Sequence, residues 1–284
     1  MLAVDVYISA DIEGITGLVS WSQCSRPDGN SFDYAFARRM ISHDVNAAVR
    51  GARKAGAERI LIKDSHGNSK NLLIEDLEPG VELVSGHGSL TDGMMVGVDS
   101  SFGCAMLVGY HAMAGTLGGI MEHTITGGVH RLWVNGVETG EMGLSAGVAG
   151  MYGVPLTMVS SDAAGCAEAA ALIPGLETAV TKEGYGRYMG RLLHPSETAP
   201  LIEAAAERAV LRAGEIAPKR YAEPTTIRVE FNRAEEADMG ARLVTEPTRI
   251  DAYTLEGTFD TYTAAHRFAW NLMSMSFVGI DAQK

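Results

Sequence analysis

Cysteine is scarce in this chain. Its 284 residues hold three, Cys24, Cys104 and Cys166, far apart and with no CxxC pair. That spacing argues against a disulfide framework and a thiolate zinc site. It points instead to a reducing compartment, the cytoplasm. Positive charge is short as well: 23 Lys and Arg stand against 35 Asp and Glu, a net charge of −12. With no basic run to offset the deficit, neither nucleic acid nor an anionic membrane is expected as a partner. Long apolar runs are missing too. The opening "MLAVDVYISADIEG" has no positive leading region, and Asp5 interrupts its short apolar stretch. Neither a signal peptide nor a spanning helix is expected there. There is no P-loop, no H-E-x-x-H and no G-x-G-x-x-G, and no long repeat.

What is present is a rhythm. Hydrophobic residues make up 46% of the chain, enough for a sizeable core. "VDVYIS" (4–9), "RILIK" (59–63), "GCAMLVGY" (103–110) and "VPLTMVS" (154–160) read as apolar strands. Between them, 34–56, 140–153 and 162–175 read as helices; the first carries an apolar face through Met40, Ile41, Val45, Val49 and Ala52. "HTITGGVHRLWVNG" (123–136) reads as an extended excursion closed by an Asn135–Gly136 turn. Apolar strands alternating with helices predict an α/β fold, a mainly parallel sheet covered by helices on both faces. A Pro-containing seam at 213–225 separates this part, 1–215, from a small α+β unit, 216–284. In that unit "TIRVEF" and "RIDAYTLEG" read as strands, "RAEEADMGARL" and "TFDTYTAAHRFAWNLMSMSF" as helices.

Ligands of open parallel sheets bind outside the carboxyl ends of the strands. Here those ends carry Asp11 and Glu13, Asp64 and His66, Tyr110 and His111, Ser161 and Asp162, with Glu141 opening a helix at the same rim. Asp, Glu and His are ligands for a divalent ion. Taken singly, Asp64 and Asp162 read as caps or turn formers, and a lone His66 or His111 as an ordinary loop residue. Asp11 with Glu13 is different, because a cap needs no second carboxylate two residues on. Two carboxylates on one side of an extended chain repel unless a positive charge lies between them. "GLSAG" (143–147) matches the nucleophile-elbow pattern, but that motif needs a strand running into Ser145, and a turn and a helix start precede it. Cys24 has no base beside it. His43, His87, His130, His194 and His266 have no supporting context.

In combination, "SADIEG" (9–14), "KDSHGN" (63–68), "GYHA" (109–112), "MEHT" (121–124), "VNG" (134–136) and "GEMGLSA" (140–146) resemble the DppA-type D-aminopeptidases, peptidase family M55. The resemblance spans the large part of the chain in order; the C-terminal unit carries no motif. It implies a dinuclear zinc site, two Zn2+ per chain, with Asp11, Glu13, His66, His111 and Glu141 as ligands and Asp11 bridging. It implies His123 as a catalytic residue that is not a ligand. It further implies a metallo-aminopeptidase acting on short peptides, D-configured at the N-terminus, and a ring-shaped homodecamer of two stacked pentamers. The alternatives are a serine hydrolase using Ser145 and a non-catalytic peptide-binding protein. The latter should carry a signal peptide or lipid-anchor cysteine near its start and has no need of so many metal ligands.

Overall fold

The apolar runs become the centre of a sheet. The computed structural model describes residues 4–24, 32–88, 92–245 and 247–281. In chain order its elements are β1 (Val4–Ala10), α1 (Trp21–Cys24), α2 (Phe32–Lys54), β2 (Ala57–Asp64), β3 (Glu82–Val84), β4 (Cys104–Val108), β5 (Val129–Val134), β6 (Val137–Glu138), α3 (Glu141–Met151), β7 (Leu156–Asp162), α4 (Ala163–Leu172), β8 (Glu177–Gly186), β9 (Met189–Leu192), α5 (Pro195–Leu211), β10 (Thr225–Phe231), α6 (Ala234–Leu243), β11 (Thr248–Arg249), β12 (Thr254–Phe259) and α7 (Tyr262–Asp281).

Seven strands form one sheet in the order β3-β2-β1-β4-β7-β8-β9. All its pairings are parallel except β8 with β9. Successive side chains of a strand face opposite ways, and here both faces are covered. Val6 and Ile8 of β1, Ile62 of β2 and Met106 of β4 join the apolar stripe of α2 (Ile41, Val45, Val49) and α5 (Ile202, Ala205, Ala209). Tyr7, Leu61 and Leu107 face the other layer, with Met142 and Val148 of α3, Ala169 of α4 and Phe268 and Leu272 of α7. Double coverage is why these strands read as unbroken apolar runs.

Five further strands form an antiparallel sheet, β11-β12-β10-β5-β6. Its β5 lies in the excursion at 123–136 and β6 follows directly after it, so the C-terminal strands pair with chain from before residue 215; Ile227 lies opposite Val134 and Val229 opposite Leu132. The β5–β6 turn is Asn135–Gly136, both in the left-handed region (φ 52° and 80°). That is the two-residue turn that suits the twist of a hairpin.

The large sheet has its topological switch between β1 and β4: the chain moves outward from β1 to β2 and β3, then returns to the other side of β1. A crevice opens at the carboxyl end of such a switch.

Candidate metal centre

The first loop at that crevice starts where β1 ends, at Ala10. Asp11 and Glu13 therefore sit in a turn, not on an extended strand as the spacing suggested, yet they still converge. The turn is pinned from several sides. The Asp11 and Gly14 amides donate to the carbonyls of Val108 (2.8 Å) and Gly109 (2.8 Å) beyond β4. A Cβ on Gly14 would lie 1.7 Å from the Tyr110 carbonyl oxygen, so only glycine allows this approach. From below, the buried Lys182 ammonium of β8 donates to the carbonyls of Glu13 (2.6 Å), Ile15 (3.0 Å) and Leu18 (2.7 Å). All three of its protons are used, and the loop is held without its carboxylates being consumed.

Three more segments bring their side chains to this loop. His66, just beyond β2, places Nδ1 3.0 Å from Glu13 Oε2 and 3.4 Å from Asp11 Oδ1. His111, beyond β4, places Nε2 3.5 Å from Asp11 Oδ2 and 3.2 Å from Glu141 Oε1. Glu141 is the first residue of α3, where a carboxylate suits the helix dipole; it accepts a hydrogen bond from the Ile125 amide (2.6 Å). All five residues expected as ligands are thus brought together, and His123 joins them. The His123 ring stacks on that of His111 with centroids 3.9 Å apart, and the edge of Trp21 meets it at 4.9 Å. Its Nε2 lies 3.7 Å from Glu141 Oε1.

The hydrogen bonds fix which ring nitrogens face inward. His111 Nδ1 and His123 Nδ1 sit 3.0 and 2.9 Å from the carbonyl oxygens of Ala112 and Met121. A carbonyl only accepts, so each Nδ1 carries a proton and each Nε2 faces the carboxylates. Asp11 Oδ2 and His111 Nε2 consequently face each other, buried and without a hydrogen-bond partner among the described residues. Buried polar atoms are almost always paired. An imidazole nitrogen and a carboxylate oxygen left facing each other call for a positive charge between them, a proton on the ring or a metal ion. The donor set, three carboxylates and imidazoles converging within 4.8 Å in overlapping groups, fits a divalent ion.

The charges respond to this crowding. Burial, then the Glu13 carboxylate, pushes Asp11 up to about 7. Burial also opposes ionisation of Glu13, but His66 outweighs it and holds Glu13 well below the usual carboxylate range. Burial disfavours charged His66 and His111, yet Glu13 and Glu141 respectively raise both. Burial and the neighbouring His111 bring His123 down to about 4, which leaves it neutral at neutral pH.

The remaining candidates fall away from this centre. Asp64 accepts from the amides of Asn71 and Leu72 (2.5 and 2.8 Å) and from Asn71 Nδ2. Asp162 caps α4 through the Gly165 amide (2.7 Å) and holds the Ile120 amide (2.6 Å). Ser145 lies inside α3, so no strand runs into it; its Oγ is 3.3 Å from the Tyr110 hydroxyl, and the elbow geometry is absent. The three cysteines are free and buried. Cys24 was passed over as a lone cysteine, yet its sulfur lies within 4.8 Å of ligand atoms of Glu13 and His66. Burial pushes its thiol far above the usual range, so the sulfur is protonated here. Lys182 and Trp21 were also missed. A lysine inside a strand and an aromatic before a short helix give no periodic signal that would single them out.

A model of the M55 peptidase family, described as D-aminopeptidase, matches residues 4–270. The chain belongs to the M55 peptidases. The D-aminopeptidase of Bacillus subtilis (strain 168) is 32% identical over 233 residues, which cover 82% of this chain and 83% of that one. The solved structure of the Zn-dependent D-aminopeptidase DppA from Bacillus subtilis, a self-compartmentalizing protease, matches with a TM-score of 0.91. It is 28% identical, and the match covers 96% of this chain and 98% of that structure. The M55 architecture, a parallel sheet between helical layers with a second antiparallel sheet, is thus shared over nearly the whole length.

Proposed function

We propose that this M55 chain is a zinc-dependent aminopeptidase that releases a D-configured N-terminal residue from short peptides, with two ions held by Asp11, Glu13, His66, His111 and Glu141. The observation that carries the reading is the facing pair of orphaned atoms, Asp11 Oδ2 and His111 Nε2, amid three buried carboxylates. Asp11 reaches both His66 and His111 through different oxygens, the arrangement a bridging carboxylate requires. When bound, the ions supply Lewis acidity at the scissile carbonyl and activate water near neutral pH. Three carboxylates and two neutral imidazoles offset three of four positive charges. The crevice then stays net positive for a free amino group's lone pair and for a developing oxyanion.

His123 has the geometry of a proton carrier. Its Nδ1–H is fixed on the Met121 carbonyl and its unprotonated Nε2 is left on the crevice side. It is held there by stacking on His111, by the Trp21 edge and, through Ile120, by Asp162. We assign it transfer of a proton to the leaving amine. Residues 1–215 would form the catalytic part and 216–284 a unit that packs against it.

The assembly is proposed to be a homodecamer in the cytoplasm. The β8–β9 hairpin supports an oligomer: Tyr185, Tyr188, Met189 and Leu192 are each exposed along it, and Leu117 is fully exposed. Apolar clusters of this kind mark protein contacts. Light scattering tests the assembly, and a monomer at working concentration contradicts it. The activity is tested on D-alanyl and L-alanyl p-nitroanilides, untreated, with a chelator, and with zinc restored. Chelator-sensitive release favouring the D-substrate is expected; chelator-resistant release abolished by a serine reagent would refute the reading.

A further inference from the structure

Two lysines of the large sheet are buried, Lys63 at 4% exposure and Lys182 at 1%. Lys182 spends every proton on loop carbonyls. Lys63 does not. From β2 its ammonium donates to the Asp64 carbonyl and to Ser69 Oγ (2.9 Å), which leaves one N–H unused among the described residues. No carboxylate lies within 4.0 Å of it among those residues; the neighbouring Asp64 carboxylate is committed to Asn71 and Leu72. An ammonium out of water without a counter-charge is costly.

Lys63 is also placed where a ligand can reach it. It lines a cavity of about 950 Å³ whose wall includes Asp11, Glu13, His66, His123 and Glu141. The other described guanidinium or ammonium in that wall, Arg187, is exposed and already paired with Glu122 at 3.4 Å. Beside Lys63 the wall is polar: Ser65, Ser69 and Ser85 border it. The Ser69 hydroxyl accepts from Lys63 and keeps its own proton to donate. Lys63 lies three residues before His66, so their Cα atoms are at most about 11 Å apart. An extended dipeptide spans about 7 Å.

We infer that Lys63, with the Ser69 hydroxyl, binds the C-terminal carboxylate of the substrate, so that the enzyme selects dipeptide-length substrates with a free carboxyl end. This rests on the aminopeptidase reading for which end of the peptide lies at the metal centre. A bound carboxylate takes up the unused N–H and supplies the missing counter-charge. A longer or amidated peptide leaves the ammonium unpaired and is hydrolysed less efficiently, by the mechanism that makes any buried polar site selective.

The test compares D-alanyl-D-alanine with its C-terminal amide. The wild type should favour the acid by at least about tenfold in kcat/KM, the range of a charge-assisted hydrogen bond. Lys63→Met should bring that ratio to within about twofold of one with zinc content unchanged, and Lys63→Arg should restore part of it. A merely structural Lys63 would lower both rates together and keep the ratio, which would overturn the assignment. If the Met variant does not fold, Lys63→Gln serves in its place. Calorimetric binding of acid and amide to the His123→Ala protein reads the subsite without turnover. Equal affinities overturn the subsite even if the wild type hydrolyses both. Preferential binding of the acid, with a zinc-loaded wild type that hydrolyses neither, supports the subsite and defeats the aminopeptidase reading.

Discussion

Asp11, Asp64 and Asp162 stand at the same rim, at the carboxyl ends of parallel strands of one sheet, and all three are buried. Asp64 is satisfied by backbone amides of the loop that follows it, and Asp162 by the Gly165 amide of α4 and the distant Ile120 amide. Asp11 gives one oxygen to the Ile12 amide (2.9 Å) and leaves the other facing His111 unpaired. The same residue type in the same topological place thus holds loops together at β2 and β7, while at β1 it is left for something the chain does not supply. Position at a switch point nominates a site; unsatisfied buried atoms decide which nominee is one.

The sharpest way to break this comparison is to exchange the consequences. Asp11→Asn keeps the Ile12 hydrogen bond but removes the charge, and Glu141→Gln does the same at α3. Both are expected to lose zinc and activity together, as read by elemental analysis and peptide hydrolysis. Next in size is His123→Ala, expected to keep full zinc and a near-normal KM while kcat falls by about 10²–10⁴-fold. A depleted metal content in that variant would move His123 into the ligand set.

Acid should weaken metal binding at Asp11. In the metal-free protein Asp11 keeps its proton to about pH 7, because its folded pKa is raised, and zinc must displace that proton. Zinc affinity should therefore fall as pH drops below 7, by about tenfold between pH 6 and pH 5 for this one proton. Raised pKa values at His66 and His111 act in the same direction. An affinity independent of pH across this range would contradict the assignment.

Asp64→Asn should cost stability instead, about 1–3 kcal/mol for buried amides left poorly satisfied, measured by denaturant unfolding, with zinc stoichiometry retained. Smallest of all should be Ser145→Ala, which removes one long contact to Tyr110 inside α3; activity within a few-fold of wild type is expected, and its abolition with metal intact would revive the serine-hydrolase reading.

Much of this was legible in the sequence because burial leaves a plain trace. Strands covered on both faces must be apolar throughout, and β1, β2, β4 and β7 were read on that ground within a few residues of their observed limits. The stretch from 177 to 211 was not read as β8, β9 and α5. Its strands alternate apolar with Lys, Glu and Gly, and the buried Lys182 runs against the pattern. The pairing of β5 with β10 was also hidden: Ile227 and Val134 are far apart in sequence, and nothing local specifies that contact. At the site, the five converging carboxylates and imidazoles were found from strand-end chemistry and family resemblance. Their partners were not. Trp21 on His123 and Lys182 under the Glu13 loop act through tertiary contacts that no motif encodes. The route of the chain to His123 was equally silent, since Met121 and Ile125 on either side adopt left-handed backbone (φ 55° and 62°) without a glycine to announce it.

The central claim is that the unpaired atoms at β1 mark a two-ion centre. Its most direct test is a zinc titration of chelator-stripped protein, followed by calorimetry, on the wild type, Asp64→Asn and Asp11→Asn side by side. Two ions per chain in the first two and loss of tight binding in the third are predicted. A wild type that takes up no zinc, or an Asp11→Asn protein that binds as the wild type does, would contradict it.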